Sequence, residues 1–124
     1  MELNPDIDLS IDVANLTEEF RVFPLKMFRY SQQRAKIEVQ RDMAKARLKE
    51  VRATVYKRVK SDLSAKHTQT SIEAEIDTDP DVIKANGALI RAEHDATTWA
   101  GAVESMRSKK DVLIQLGSDR RKEM

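Results

Sequence analysis

The strongest constraint on the fold is a set of apolar residues that recurs at helical spacing along a segment without glycine or proline. From Phe23 the apolar positions follow steps of three and four, apart from Arg34 and Arg41, which fall on the same stripe, and neither Gly nor Pro occurs between residues 25 and 62. Such steps place side chains on one face of an α-helix. The stripe comprises Phe23, Met27, Tyr30, Ile37, Ala44, Leu48, Val51 and Val55. We therefore expect one long amphipathic helix. It begins near Leu16, with Asn15 as its cap, and is kinked at Pro24, or it starts at Pro24.

A second stripe predicts a second long helix over residues 80 to 116. Asp79 is suited to cap it, and Pro80 fits the first helical position because the N–H that it lacks has no helical partner there. Gly117 is a natural C-terminal stop. Trp99 is the largest apolar residue, and we interpret it as a core residue, with base stacking as the alternative. The stripe comprises Val82, Ala85, Leu89, Ala92, Ala96, Trp99, Val103, Met106 and Leu113.

The segment between the two stripes has little apolar content from residue 61 to residue 70. Thr70 and Glu73 have the spacing of a capping box, which favours a short helix over residues 71–77. The alternating apolar residues of that stretch are equally compatible with a short strand. Two long helices with a short connecting element predict an all-α fold, an antiparallel hairpin.

Charge is segregated along the chain, although the net charge is only +1. Residues 1–22 carry six acids and one base, and residues 67–106 carry eight acids and two bases. Residues 29–66 carry twelve Lys or Arg and four acids, a local charge of +8, and the tail from residue 107 is also basic. A basic block on one predicted helix indicates a polyanionic partner. Pairing with the acidic segments of the same fold is an equally good explanation.

Helical geometry arranges many of these bases in rows beside the first apolar stripe. At about 100° per residue, one row comprises Arg41, Lys45, Lys49, Arg52, Tyr56 and Lys60. Arg47 and Arg58 lie on the opposite flank with Lys36. Cations interleaved with an aromatic ring suit single-stranded nucleic acid, because the cations follow the phosphates and Tyr56 can stack on an unpaired base. Duplex readout is less favoured, since the chain has no helix-turn-helix or zinc motif.

Composition favours assembly with other copies. Charged residues make up 35% of the chain and aromatic residues 5%, so apolar anchors are few. Elongated helices of this composition bury their stripes against partner chains. We expect an acidic arm over residues 1–14, loose or partly docked, and a single helical domain over residues 15–124 for oligomerisation and DNA binding. The predicted oligomerisation residues are Ile37, Leu48, Val51, Val55, Leu89, Trp99 and Val103.

Residues for catalysis, metals or cofactors have no credible setting in the sequence. The chain has no cysteine, and His67 and His94 lack the helical partner that a zinc site needs. The acids after residue 76 imitate a calcium loop, but Val82 and Ala88 replace its glycine and its closing glutamate. We therefore expect no enzyme activity, no metal and no cofactor. Neither a signal peptide nor a stretch of about 20 apolar residues is present, which predicts a cytoplasmic protein with no membrane span.

Several short segments resemble a known family in order and spacing. Residues 45–48 read Lys-Ala-Arg-Leu, which is similar to the core of the DNA-binding motif of the UvsY family of phage recombination mediators. The resemblance covers about residues 25 to 121 and is densest from Asp79 onward. The other matching residues are Tyr30, Ser31, Asp79, Asp81, Val82, Lys84, Leu89, Gly101, Ala102, Ser108 and Arg120. The N-terminal arm and the residues that directly follow Leu48 depart from the family pattern.

The resemblance implies a homo-oligomeric ring, a hexamer or heptamer, that acts in bacteriophage DNA recombination and repair in the host cytoplasm. Such a mediator binds single-stranded DNA and helps a RecA-like phage recombinase displace single-strand-binding protein, without catalysis of its own. The DNA contacts it implies are Lys45 and Arg47; the remaining candidates come from helical geometry alone. The competing hypotheses are a scaffolding coiled-coil assembly whose basic helix pairs with acidic protein surfaces, and a regulator that binds duplex DNA.

Overall fold

The computed structural model describes residues 2–62 and 68–123, and all secondary structure in these two ranges is helical. The long helices α2 (Leu16–Lys60) and α4 (Pro80–Glu123) pack against each other, which confirms the all-α prediction. The shorter helices are α1 (Pro5–Asp8) and α3 (Gln69–Thr78). Part of the predicted connecting segment, including His67, lies outside the described residues. The ring stays a prediction.

Helix α2 begins at Leu16, where the periodicity places its start. A 3₁₀ turn over Val13–Asn15 leads directly into α2. Asp12 caps this turn, because its carboxylate accepts a hydrogen bond from the N–H of Ala14 at 3.1 Å. Pro24 lies inside the helix and is exposed to solvent. The helix continues because residues on both sides of Pro24, namely Phe23 and Tyr30, are buried in one core.

The prediction of a capping box at Thr70 and Glu73 is wrong by two residues. Thr68 caps α3 by accepting a hydrogen bond from the N–H of Ser71 at 3.1 Å, and the Ser71 hydroxyl accepts one from the Thr68 N–H at 3.3 Å. A serine therefore occupies the place where glutamate or glutamine is usual. The helical interpretation of this segment is confirmed, and the strand alternative is wrong.

The start of α4 is confirmed and its predicted end is wrong. The Asp79 carboxylate accepts a hydrogen bond from the N–H of Asp81 at 2.9 Å, and Pro80 is the first helical residue. Gly117 does not stop the helix, which continues to Glu123. A Cβ at Gly117 would lie 3.1 Å from the ring of Phe20. Because it lacks a side chain, Gly117 allows α2 to approach α4 closely; it does not end the helix.

The chain forms two compact units. Unit 1 contains Met1–Ile37 and Ala96–Met124. In this unit α2 and α4 run antiparallel, because Phe20 contacts Gly117 while Tyr30 packs against Trp99 further along α2. The buried core of unit 1 consists of Leu16, Phe23, Tyr30, Ala102, Val103, Met106 and Leu113.

The N-terminal arm is docked on unit 1 through a buried polar network. The Tyr30 hydroxyl donates to the Asp8 carboxylate at 2.7 Å, and the Lys26 ammonium lies 3.1 Å from the same carboxylate. The Lys109 ammonium, nearly inaccessible to solvent, donates to the Asp8 carbonyl at 2.6 Å and pairs with Glu19 at 2.9 Å. Burial opposes ionisation of Asp8, but the hydrogen bonds from Tyr30 and Lys26 outweigh it and lower the pKa of that carboxyl.

Unit 2 contains Glu38–Asp95. Its short helix α3 contributes Ile72 and Ile76 to the core, and Leu48 and Tyr56 pack partly against it. The full buried core is Val51, Val55, Val59, Ile72, Ile76, Val82 and Ala85. The three helical segments of unit 2 thus share one apolar centre, and the charged side chains of α2 lie around it.

Candidate nucleic-acid interface

The predicted DNA-binding residues all lie on α2 in unit 2. Their exposure differs. The exposed ones are Lys45, Arg47, Lys49, Arg58 and Lys60, and the partly exposed ones are Arg41, Arg52 and Tyr56. A helix that buries one stripe against α3 and α4 leaves its two flanks open to solvent, which is where these residues lie. The cationic groups of this surface therefore differ in how accessible they are to solvent.

Intramolecular ion pairs engage half of these candidates. Arg52 pairs with Asp77 of α3 at 3.0 Å, and Arg58 pairs with Asp79 at the start of α4. Arg41 pairs with its neighbour Asp42 at 3.1 Å, and Arg47 lies 3.8 Å from Glu50. The pairs of Arg52 and Arg58 join different helices, so these two guanidinium groups help to position α3 and the start of α4. The acids of the chain's own fold therefore take up part of the basic charge.

Lys45 and Lys49 are different, because neither forms an ion pair or hydrogen bond with any residue in the described ranges. Both ammonium groups are exposed and lie one helical turn apart. Lys57 is also exposed and forms no ion pair with a residue in the described ranges. It was not among the predicted DNA contacts. An unpaired cation meets a phosphate without losing an existing partner, so these lysines are readily available contacts on the unit 2 part of α2.

Tyr56 does not present a free ring. It packs partly against the core of unit 2, and its hydroxyl accepts a hydrogen bond from the Lys60 ammonium at 3.0 Å. The same ammonium lies 5.3 Å from the ring centroid, within cation–π range. A base that stacked on Tyr56 would compete with Lys60 for the ring.

Lys45 and Arg47 point to different sides of α2, since residues two positions apart on a helix differ by about 200° in direction. Arg47 borders a cleft of about 470 Å³ between α2 and α4. Arg58 and Lys84 also border it. Lys84 belongs to α4 and was not predicted, because the predicted contacts came from the helical geometry of α2 alone. The remaining lining residues are Val51, Thr54, Val55, Asp81, Ala85 and Ala88. Unit 2 thus has two separate basic flanks.

Asp79, the residue before α4, pairs with Arg58, which borders this cleft. Burial opposes its ionisation, but the N–H of Asp81 and the guanidinium of Arg58 outweigh that effect and keep the pKa of Asp79 below its usual value. The carboxylate is therefore charged near neutral pH and holds Arg58. The main role of Arg58 is therefore to position the start of α4, and its role as a phosphate contact is secondary.

The residues predicted to form the seam between copies are mostly buried inside the chain. Ile37, Val51, Val55 and Val103 have almost no accessible surface, and the three valines belong to the cores of their units. Helical spacing does not distinguish packing onto another helix of the same chain from packing onto a second copy. The remaining predicted seam residues, Leu48, Leu89 and Trp99, are partly exposed. Large apolar side chains that are more than half exposed are Ile7, Val13, Phe28, Val39, Met43, Ile83, Ile90 and Ile114.

Two other classes of site are not found in the described ranges. No group of three or more His, Cys, Asp or Glu residues there is arranged to hold a metal ion. No helix among the described residues is both long and apolar enough to cross a membrane.

Comparison with known proteins adds no relative. No protein-family model matches the chain, and no curated protein or solved structure matches it. The resemblance to the UvsY family therefore stays a prediction that depends on the residues of the chain itself.

Proposed function

We propose that this chain is a single-stranded DNA-binding recombination mediator that helps to load a RecA-like recombinase onto DNA covered by single-strand-binding protein. The observation that supports DNA binding most directly is the pair of exposed, unpaired ammonium groups of Lys45 and Lys49 on α2. The recombination role rests on the resemblance of residues 45–48 to the family motif.

A cation that binds a phosphate gives up the partners that it has in the free protein. Lys45 and Lys49 lose only water and counterions, and counterion release favours binding at low salt. Arg47 loses an exposed pair with Glu50, and such pairs contribute about 0–1 kcal/mol. Arg52 and Arg58 would lose contacts that hold other helices in place. We therefore rank the two lysines first, Arg47 next, and the two helix-positioning arginines last.

Assembly into a ring multiplies these contacts. One copy offers a few exposed cations, whereas several copies along one strand act as a multivalent surface with a much higher apparent affinity. The exposed apolar side chains of unit 2, which include Val39, Met43, Ile83 and Ile90, support contacts with other copies. Mediator activity in this proposal belongs to the homo-oligomer, a hexamer or heptamer.

The alternative function is a scaffolding coiled-coil assembly whose basic helix binds acidic protein surfaces. The observation that favours it is the pairing of Arg52 with Asp77 and of Arg58 with Asp79, since these arginines already bind acids. Sedimentation in rising salt with a labelled oligonucleotide separates the two functions. The mediator releases the oligonucleotide while remaining assembled, whereas the scaffold dissociates and binds no oligonucleotide.

The direct test of DNA binding uses the double variant Lys45→Ala, Lys49→Ala and the fluorescence anisotropy of a labelled single strand. We expect weaker binding and a slope of log affinity against log salt reduced by about 1.4, from about 0.7 for each lost phosphate contact. Lys110→Ala with Lys122→Ala removes the same charge from exposed positions of α4 and serves as the control. Unchanged affinity in the first variant, with intact helicity and mass, refutes the assignment.

The mediator role needs a separate assay. Wild-type protein is expected to shorten the lag before a RecA-like recombinase hydrolyses ATP on single strands covered by single-strand-binding protein. The Lys45→Ala, Lys49→Ala variant is expected to restore the lag. If wild-type protein binds the strand but leaves the lag unchanged, the chain is a DNA-binding protein without this role.

A further inference from the structure

Unit 1 contains a cleft of its own, of about 400 Å³. This volume lies within the range of about 300–1,000 Å³ found for small-molecule sites. One wall comes from α2, one side chain comes from α4, and the start of the N-terminal arm closes another side. The lining residues are Glu2, Leu3, Arg29, Gln32, Gln33, Lys36 and Trp99.

Arg29 gives the first indication that this cleft takes a ligand. Its Nε atom is buried and has no hydrogen-bond partner among the described residues, and the side chain forms no ion pair with any of them. Buried donors are normally satisfied, because an unpaired one loses its water without gaining a partner. Arg29 as a whole is only partly buried and lines the cleft, so an acceptor that enters the cleft meets its guanidinium group without displacing an ion pair. A phosphate oxygen suits this role, since guanidinium groups bind phosphates strongly.

Trp99 gives the second, independent indication. Its ring is held by the buried Tyr30, with the two centroids 5.9 Å apart and the planes tilted by 47°. The indole is only partly buried, and it lines the cleft. A fixed, partly exposed aromatic ring next to cations is the arrangement on which unpaired bases stack.

The other polar groups fit the same ligand. Gln32 and Gln33 carry amides that both donate and accept hydrogen bonds, as the edges of bases require. Lys36 is an exposed ammonium group without an ion pair in the described ranges. Glu2 is the one acid of the lining, and its charge opposes a phosphate.

We infer that this cleft binds one unpaired nucleotide of single-stranded DNA, with the base on Trp99 and the phosphate on Arg29 and Lys36. The two glutamines contact the base edge. The inference rests on the proposed function and adds a base-binding site in unit 1 to the phosphate contacts of Lys45 and Lys49 in unit 2. It gives Trp99 a stacking role in addition to its packing against Tyr30.

The chain offers a direct reporter, because Trp99 is its only tryptophan. The full-length protein is titrated with a thymidine oligonucleotide while indole emission and the anisotropy of a labelled strand are both followed. An oligomer of the same length and charge made of abasic deoxyribose phosphate is the matched probe. We expect the thymidine strand to bind and quench Trp99, and the abasic strand to bind without quenching.

Three results would overturn the inference, and they separate it from the proposed function. Oligonucleotide binding by anisotropy with unchanged Trp99 emission removes the cleft site and leaves DNA binding intact. Equal quenching by the abasic strand removes base stacking. No binding of either strand at low salt removes both the inference and the proposed function.

Variants of the cleft test its individual contacts. Arg29→Gln is expected to weaken binding of the thymidine strand by about tenfold, as the loss of a charge-assisted hydrogen bond predicts. Lys110→Gln removes one positive charge from an exposed position of unit 1 outside the cleft and is expected to have a smaller effect. Glu2→Gln is expected to tighten binding, an effect that a purely structural role for this wall does not produce.

Equal effects of Arg29→Gln and Lys110→Gln would refute a specific contact in the cleft. Trp99→Leu removes the stacking ring while keeping an apolar side chain against the core. It is expected to weaken binding of the thymidine strand and to leave binding of the abasic strand unchanged. Circular dichroism checks that the helices remain. If this variant unfolds, the comparison of Arg29→Gln with Lys110→Gln still decides the question.

Discussion

The contact between Gly117 and Phe20 allows a quantitative test of how closely α2 and α4 approach in unit 1. Replacing a helical glycine by alanine normally stabilises a protein by about 0.5–1 kcal/mol, because glycine loses more backbone freedom on folding. At Gly101 a new Cβ meets no other atom within 4 Å, so Gly101→Ala is expected to gain this full amount.

Gly117→Ala is expected to behave differently, because its Cβ would lie 3.1 and 3.2 Å from two carbons of the Phe20 ring. The ring must move by a few tenths of an ångström, and overpacking costs about 1–3 kcal/mol. Since Phe20 is 42% exposed, its ring has room to move and the cost falls at the low end. We expect Gly117→Ala to be about 1 kcal/mol less stable than Gly101→Ala.

The measurement is urea unfolding followed by circular dichroism at one fixed protein concentration, because assembly would otherwise contribute to the apparent stability. Repeating both substitutions in a Phe20→Ala background removes the ring, and the difference between the two glycine sites is expected to disappear. If Gly117→Ala stabilises the intact chain as much as Gly101→Ala, the packing argument is refuted.

Three further predictions concern the arm, its pH response and assembly. Tyr30→Phe removes the hydrogen bond to the buried Asp8 carboxylate and is expected to cost about 1.5–3 kcal/mol in urea unfolding. Tyr56→Phe, whose hydroxyl only accepts a bond from an exposed lysine, is the control and is expected to change stability by less than about 0.5 kcal/mol. Equal effects of the two substitutions would contradict this difference. Because the folded-state pKa of Asp8 is lowered, its contribution is present above its unfolded pKa of about 3.9 and is lost as pH falls through the folded value. Protease cleavage of the arm is therefore expected to accelerate below about pH 4, and an Asp8→Asn variant that kept this acid response would assign it to another group. Met43→Asp, at a side chain that is 66% exposed, is expected to lower the oligomer mass in light scattering without loss of helicity. Val103→Ala, in the core, is expected instead to lower stability, and an unchanged mass for Met43→Asp would place the contact between copies elsewhere.

The sequence predicts the helices of this fold well, because helical spacing and caps are local signals. Asp79 and Pro80 are enough to place the start of α4. The predicted stop at Gly117 is wrong because glycine also serves close packing, and its contact with Phe20 depends on how α2 and α4 align. The same alignment decides which apolar residues are core and which remain exposed, so Val55 is buried within the chain although spacing alone also suits a seam.

The candidate sites are less accessible to sequence reasoning, because they depend on partners that are distant in sequence. The composition of α2 shows that it is basic, but only the packing of α3 shows that Asp77 engages Arg52, whereas Lys45 forms no ion pair with a residue of the described ranges. The cleft of unit 1 joins Arg29 to Trp99 across the hairpin. No local pattern relates these two residues, and an unpaired Nε is visible only once its surroundings are known.

The hydrogen bond from Lys109 to the Asp8 carbonyl joins residues 101 positions apart, and this separation has a consequence for biosynthesis. During translation the first residues leave the ribosome long before Lys109 is made. Tyr30 and Lys26 of α2 are available to the Asp8 carboxylate early, but the bond to the Asp8 carbonyl must wait until the far half of α4 packs back, and closing so long a loop is slow. The contact of Lys109 is thus among the last that the arm forms, and a nascent chain in which Lys109 has not yet been made lacks this bond and holds the arm less firmly against proteases.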